Sequence, residues 1–301
     1  MTKPPRVQIV EVSPRDGLQA EARNLPTQIK LELLDRLADA GHTAIEVTSF
    51  VSPSAVPQLA DADDLLTRLR RRPGVRYPVL VPNERGLERA IAAGADEIAV
   101  FVSASESYAR KNLRRSRNEA LATACAVAKI AVASGLQVRG YVSMVIEDPD
   151  DGPTDPKAVV KTGRALLDAG CAEISLGDTI GAGTPTQVRT LLGAHRDAGI
   201  GPDRLAVHFH DTYGQGLANV LTAIEQGVSV VDASVGGIGG SPFAKSKGAS
   251  GNLATEDLVW MLDGMGIETG VDVRKLASTA KWMATQLGHE LPGRAARALL
   301  G

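Results

Sequence analysis

Eight short runs of mostly apolar, β-forming residues recur along the chain, at positions 7–12, 43–47, 77–81, 97–102, 137–142, 172–176, 205–209 and 229–235. Each is long enough for a strand and too short for a helix. The segments between them carry helical spacing. Ile29, Leu33 and Leu37 fall four residues apart, with Pro26 where a helix opens and Gly41 where it closes. A small residue followed by glycine ends most of these segments, as in Asp39-Ala40-Gly41, Ala133-Ser134-Gly135 and Asp168-Ala169-Gly170, because glycine takes the left-handed conformation that stops a helix. Each run and its following segment form one βα unit.

Repeated alternation of this kind predicts an α/β protein with a parallel sheet, and eight repeats predict closure into a (β/α)8 TIM barrel. The rival is a doubly wound open sheet, which carries a glycine-rich phosphate loop after its first strand. Here the first run leads into Ser13-Pro14-Arg15-Asp16-Gly17, which is charged and is no phosphate cradle. The barrel is therefore expected over residues 1–270. Residues 271–301 read as a C-terminal helical appendage packed on the barrel, with amphipathic spacing over 275–287 and a last helix over 294–300.

Composition narrows the function classes. With 44% hydrophobic and 23% charged residues, the chain is neither disordered nor membrane-spanning. A net charge of −2 offers no field for nucleic acid or an anionic membrane, so neither partner is expected. The run Arg68, Arg70, Arg71, Arg72 reads as a solvated helix end, where cations suit the helix dipole. Two cysteines, Cys125 and Cys171, are too few for a disulfide framework or a zinc site, and no signal-peptide pattern opens the sequence. A cytoplasmic location is expected.

Barrel enzymes gather their chemistry at the C-terminal ends of strands. Arg15 and Asp16 follow the first run, Glu46 lies in the second, Asp178 follows the sixth, His208 and His210 end the seventh, and Asn252 lies beyond the eighth. One residue separates the two histidines, so both imidazoles point to one face of a strand and Phe209 to the other. A single histidine in a strand is usually a hydrogen-bonded core residue. Two on one face, with Asp16 from the opposite wall and the amide oxygen of Asn252, suit a divalent metal. Nitrogen and oxygen donors without a thiolate favour Mg²⁺ or Mn²⁺, with Zn²⁺, Co²⁺ and Fe²⁺ also compatible. Arg15 adds a fixed cation where an oxyanion could develop. Glu46, costly to bury alone, has Arg15 as its natural partner. The glycine-rich stretch over 236–252 reads as a lid over the barrel mouth.

Several blocks together resemble 3-hydroxy-3-methylglutaryl-CoA lyase, a family of metal-dependent barrels. They include Glu11-Val12-Ser13-Pro14-Arg15-Asp16-Gly17-Leu18-Gln19, Val138-Arg139-Gly140-Tyr141-Val142-Ser143, Glu173-Ile174-Ser175-Leu176-Gly177-Asp178-Thr179, His208-Phe209-His210-Asp211 and Gly248-Ala249-Ser250-Gly251-Asn252-Leu253-Ala254-Thr255-Glu256. The resemblance covers nearly the whole chain. It implies a metal held by Asp16, His208, His210 and Asn252, and cleavage of a 3-hydroxyacyl-CoA substrate into acetyl-CoA and a keto acid. It further implies that Arg15 meets the enolate, that Glu46 and Asp178 serve the arginine and the hydroxyl proton, and that Gln19, Tyr141, Ser175 and Glu256 line or support the substrate pocket. A homo-oligomer, dimer or higher, is expected.

The chain departs from the family in its lid. Where the family has a cysteine after the Gly-Gly pair, this sequence has Ser241. The hydroxyl of serine is far too weak an acid to replace a thiol as proton donor unaided, leaving water, Asp178 or a lid lysine as stand-ins. Lys245-Ser246-Lys247 lengthens the lid, and residues 144–156 lack the family's cysteine-containing segment. Other carbon–carbon lyases or synthases of citramalyl-CoA or citramalate type, and a catalytically silent CoA- and metal-binding relative, remain alternatives.

Overall fold

The computed structural model describes residues 4–240 and 251–301. Nine strands are present among them: β1 (Gln8–Glu11), β2 (Val79–Leu80), β3 (Glu97–Ser103), β4 (Gln137–Ser143), β5 (Glu147–Asp148), β6 (Gly152–Pro153), β7 (Glu173–Asp178), β8 (Leu205–Phe209) and β9 (Val230–Ala233). The α-helices are α1 (Thr27–Asp39), α2 (Ala62–Arg68), α3 (Glu84–Ala92), α4 (Glu106–Tyr108), α5 (Arg117–Ala133), α6 (Pro156–Asp168), α7 (Pro185–Asp197), α8 (Gly216–Glu225), α9 (Thr255–Gly264), α10 (Val273–Leu287) and α11 (Arg294–Leu300).

Seven strands form one parallel sheet in the order β1-β9-β8-β7-β4-β3-β2, while β5 and β6 make a separate antiparallel hairpin. The second run, at 43–47, closes the ring by single bridges rather than a continuous ladder. Glu11 N donates to Ala44 O at 3.0 Å and Glu46 N to Glu11 O at 2.9 Å on the β1 side. Ile45 N donates to Arg76 O at 3.0 Å and Leu80 N to Thr48 O at 2.9 Å on the β2 side. The expected strand at 77–81 is reduced to Val79–Leu80, and Pro78, which has no N–H, can serve only as an acceptor, taking the Val47 amide at 3.0 Å. The barrel is therefore complete, with its weakest pairing where proline interrupts it.

Strand alternation sorts the side chains into two layers. Ile9, Ile45, Val79, Ile98, Val100, Val138, Ile174, Leu176, Val207, Phe209 and Val231 belong to the large apolar core between sheet and helices. Inside the barrel lie two small apolar clusters, Val10-Val12-Ala44 and Leu80-Ala99-Tyr141. The remaining interior is polar and buried, with Glu46, Arg139, Ser175, His208 and Asp232. Phe209 and the histidines thus face opposite ways, as the alternation predicts.

The helical appendage lies against the barrel. Lys275 Nζ donates to Asp39 O at 2.9 Å, and the Arg36 guanidinium stacks 4.5 Å from the Trp282 ring centre. Gly293 N donates to Gly236 O at 3.1 Å, and a Cβ on Gly236 would meet Leu291 at 2.4 Å, so the C-terminal segment seats directly on the loop that follows β9. The basic run differs from expectation: α2 ends at Arg68, and Arg72 pairs with Asp35 and Asp39 of α1 at 2.9 and 2.5 Å rather than pointing into solvent. No helix among the described residues is long and apolar enough to cross a membrane.

Candidate active site and metal centre

The turn after β1 places two charged residues at the barrel mouth. Arg15, Asp16 and Gly17 all donate their amides to Val12 O, at 3.2, 2.8 and 3.2 Å, so the chain winds tightly over residues 13–17. Gly17 has no room for a side chain, since a Cβ there would lie 2.7 Å from Ile238. The first turn and the loop after β9 are thereby packed together, which brings Asn252 within reach of Asp16.

His208 on β8 and His210 just beyond it point their Nε2 atoms at each other across 3.2 Å, and Asp16 Oδ2 lies 3.8 Å from His208 Nε2. One donor atom from each of Asp16, His208 and His210 falls within 4.8 Å of the others. Adjacent ligands of an ion bound at about 2.1 Å stand about 3 Å apart, so these donors can share one cation. Two imidazole nitrogens facing each other with lone pairs would repel, and a cation between them removes the conflict. Asn252 Nδ2 donates to Asp16 Oδ2 at 2.8 Å; a half-turn of the amide turns its oxygen to the same point.

Electrostatics hold the donors ready. Burial alone would raise the Asp16 pKa, but Arg15 and the two histidines take it down to about 2. Burial and the neighbouring His208 lower His210 to about 4, so its ring is neutral near pH 7. Burial opposes charge on His208 as well, yet the hydrogen bond to Asp232 and the nearby Asp16 raise it above its ordinary value. Arg15 is fixed on both sides, by Glu46 Oε2 at 2.6 Å and Asp16 Oδ1 at 2.5 Å, and stacks 5.3 Å from the Tyr141 ring centre. Its permanent charge faces the mouth beside the metal donors.

Residues 6–283 match the profile of the HMGL-like family. The chain belongs to the HMGL-like family. The mitochondrial hydroxymethylglutaryl-CoA lyase of Rattus norvegicus is 50% identical over 297 residues, covering 99% of this chain and 90% of the relative. The crystal structure of the Bacillus subtilis HMG-CoA lyase superposes with a TM-score of 0.97 at 43% identity, over 100% of both chains. An HMG-CoA lyase from Acinetobacter baumannii, solved with coenzyme A and 3-methylmalate, gives 0.93 at 37% identity over 99% of this chain and 97% of that one.

Against this HMGL-like background, the structure brings together Arg15, Asp16, Glu46, His208, His210 and Asn252. Gln19 joins them, donating its Nε2 to Asp16 Oδ1 at 2.8 Å. Tyr141 accepts from Arg139 at 2.9 Å and approaches Glu46 Oε2 at 3.4 Å, while Ser175 lies deeper, donating to Asp232 at 2.9 Å. Two residues are not brought to the cluster. Asp178 lies an odd number of positions from Ser175, so it leaves β7 on the outer face. Its Oδ2 accepts from Gly183 N at 2.8 Å and holds the following loop. Burial takes its pKa up to about 6 against the pull of the loop amides. Glu256 supports the mouth without lining it: fully buried, it accepts from Gly236 N at 2.9 Å. Ser241, and the lid residues through Ser250, lie outside the described residues.

Sequence reasoning passed over Arg139 and Asp232. Arg139 Nη2 donates to Asp232 Oδ1 at 2.6 Å, and Asp232 Oδ2 lies 3.2 Å from His208 Nδ1. The signal was the one that exposed Glu46, a charged residue inside an apolar run, in Gln137-Val138-Arg139-Gly140 and Val230-Val231-Asp232-Ala233.

Proposed function

We propose that the chain is a divalent-metal-dependent carbon–carbon lyase that cleaves a 3-hydroxy-3-methylglutaryl-CoA-like thioester into acetyl-CoA and a keto acid. The observation that carries this is the convergence of Asp16, His208 and His210 on one point, with the Arg15 guanidinium fixed beside them. Asp16, His208 and His210 would hold the ion, with Asn252 after its amide turns, and the absence of a thiolate among them favours Mg²⁺ or Mn²⁺. When bound, the ion supplies a Lewis acid that lowers the pKa of the substrate's tertiary hydroxyl.

The protein's own residues meet the negative charge that the cleavage develops. As the hydroxyl passes its proton to water at the barrel mouth and becomes a carbonyl, the C2–C3 bond breaks and its electron pair passes to the thioester as an enolate. Arg15, kept charged and immobile by Glu46, faces that developing negative charge, and Gln19 keeps Asp16 from rotating away. A proton must then return to the enolate carbon. By the family resemblance Ser241 stands in for the acid, and a different 3-hydroxyacyl thioester of the same class is the second reading that this substitution favours. We assign residues 271–301 to the same catalytic unit as the barrel over 1–270. A homo-oligomer in the cytoplasm is the accompanying proposal, tested by sedimentation and by fractionation.

The deciding assay follows acetyl-CoA release from a panel of 3-hydroxyacyl-CoA thioesters with Mg²⁺, Mn²⁺ or a chelator. Metal-dependent release from the methylglutaryl substrate is expected. Release from a different thioester would favour the second reading, and no release from any would leave a silent binding protein.

A further inference from the structure

Beneath the metal donors, inside the barrel, lies a buried polar frame that the proposed reaction does not use. Asp232 on β9 stands at its centre. Its Oδ1 accepts from Arg139 Nη2 at 2.6 Å, its Oδ2 accepts from Ser175 Oγ at 2.9 Å, and the same Oδ2 lies 3.2 Å from His208 Nδ1. Arg139 is itself tied to Glu173 by an ion pair of 2.9 Å and donates to the Tyr141 hydroxyl at 2.9 Å. These contacts come from four strands, β4, β7, β8 and β9, and none depends on a ligand at the mouth.

The chemistry of the frame restricts His208. An isolated buried carboxylate would cost several kcal/mol, but Arg139 compensates Asp232 directly. An ionised carboxylate only accepts hydrogen bonds, so it can face Nδ1 of a neutral His208 only when that nitrogen carries the proton. The Nε2 lone pair is then left pointing at His210 Nε2 and Asp16 Oδ2. His210 has no comparable carboxylate on its Nδ1 among the described residues. Of the two imidazoles, His208 is the one backed by a carboxylate, whereas His210 has the backbone of Thr179 near it.

We propose that Asp232, anchored by Arg139 and Ser175, is a positioning residue that fixes the tautomer and ring orientation of His208 for a divalent cation. The proposal rests on the metal reading of the Asp16, His208 and His210 cluster. A carboxylate behind a metal-bound imidazole raises ligand basicity and removes the entropy of choosing a tautomer, and losing one commonly weakens metal binding about 10–100-fold.

The test uses full-length protein with ¹⁵N-labelled histidine, combined with Mn²⁺ titration by calorimetry. In the metal-free wild type at alkaline pH, where the imidazole is neutral, the ¹⁵N shifts should show the Nδ1–H tautomer at His208. Asp232→Asn can donate as well as accept, so it should admit the Nε2–H tautomer and weaken Mn²⁺ binding about 10–100-fold. Because this change leaves Arg139 with less compensation, the double variant Arg139→Met with Asp232→Asn removes both charges and should show the same loss with the fold intact, checked by thermal unfolding. Ser175→Ala keeps the Asp232–His208 contact and should lose less. A wild-type His208 in the Nε2–H form, or unchanged Mn²⁺ affinity in the folded variants, would overturn the positioning role alone. A wild type that fails to bind Mn²⁺ at all, like the His210→Ala control, would overturn the cluster reading beneath it.

Discussion

His210 and Arg15 sit within one site but answer for different steps, and single substitutions separate them. His210→Ala removes one of two converging imidazole nitrogens, so calorimetry should show Mn²⁺ binding lost and metal-dependent turnover lost with it. Arg15→Ala leaves the imidazoles in place. It should retain metal binding while cleavage falls about 10²–10³-fold, the usual cost of removing a preorganised oxyanion partner. Undiminished turnover in that variant would take the enolate away from Arg15. Ser241→Cys should raise cleavage of the methylglutaryl substrate; a flat response would mean that the proton reaches carbon from another group.

At the level of elements, the N-terminus of the C-terminal helix is held by a carboxylate from α9. The Asp257 carboxylate accepts from the amides of Arg294 and Ala295 at 3.1 and 2.6 Å. Asp257→Ala should cost about 1 kcal/mol, as lost caps typically do, and should speed hydrogen exchange over 294–300 with Mn²⁺ affinity preserved. Elements of this kind were also where the sequence spoke most clearly. The His208-Phe209-His210 alternation announced its geometry because a strand has period two, and the 43–47 run was legible as a wall of the barrel although its pairing is discontinuous. The same parity, counted from Ser175, turns Asp178 outward, which the family resemblance alone did not reveal. The Arg139–Asp232 pair was not deducible, since 93 residues separate partners that meet only once β4 and β9 face each other across a closed ring. Glu256 was legible as part of the region and not as a buried prop, because its depth is set by α9 and the C-terminal segment together.

For the whole molecule, pH acts through groups displaced in opposite directions. Burial raises Glu256 from 4.5 to about 8, against the pull of the Gly236 amide. A raised carboxyl binds its proton more tightly folded than unfolded, so its contribution is full below pH 4.5 and is lost as pH rises through 8. In Glu256→Gln that loss disappears, and the difference in Tm between variant and parent should move in the variant's favour between pH 5 and pH 9. His210, lowered to about 4 from 6.5, works the other way: its stabilising contribution is present above 6.5 and disappears as pH falls through 4. Mn²⁺ at a hundred times its Kd should stabilise the fold by about 2.7 kcal/mol, visible as a Tm increase that a chelator reverses.

The pairing of β1 with β9, Gln8 opposite Val230, has a kinetic side. Contacts so remote along the chain are reached late in refolding, after the entropy of closing a very long loop has been met. Asp16 lies just beyond one partner of that seam, and His208 lies on the strand beside the other, with His210 just past its end. Ion capture therefore has to wait for the first and last staves to meet, and a stopped-flow Mn²⁺ signal would time that final act of assembly.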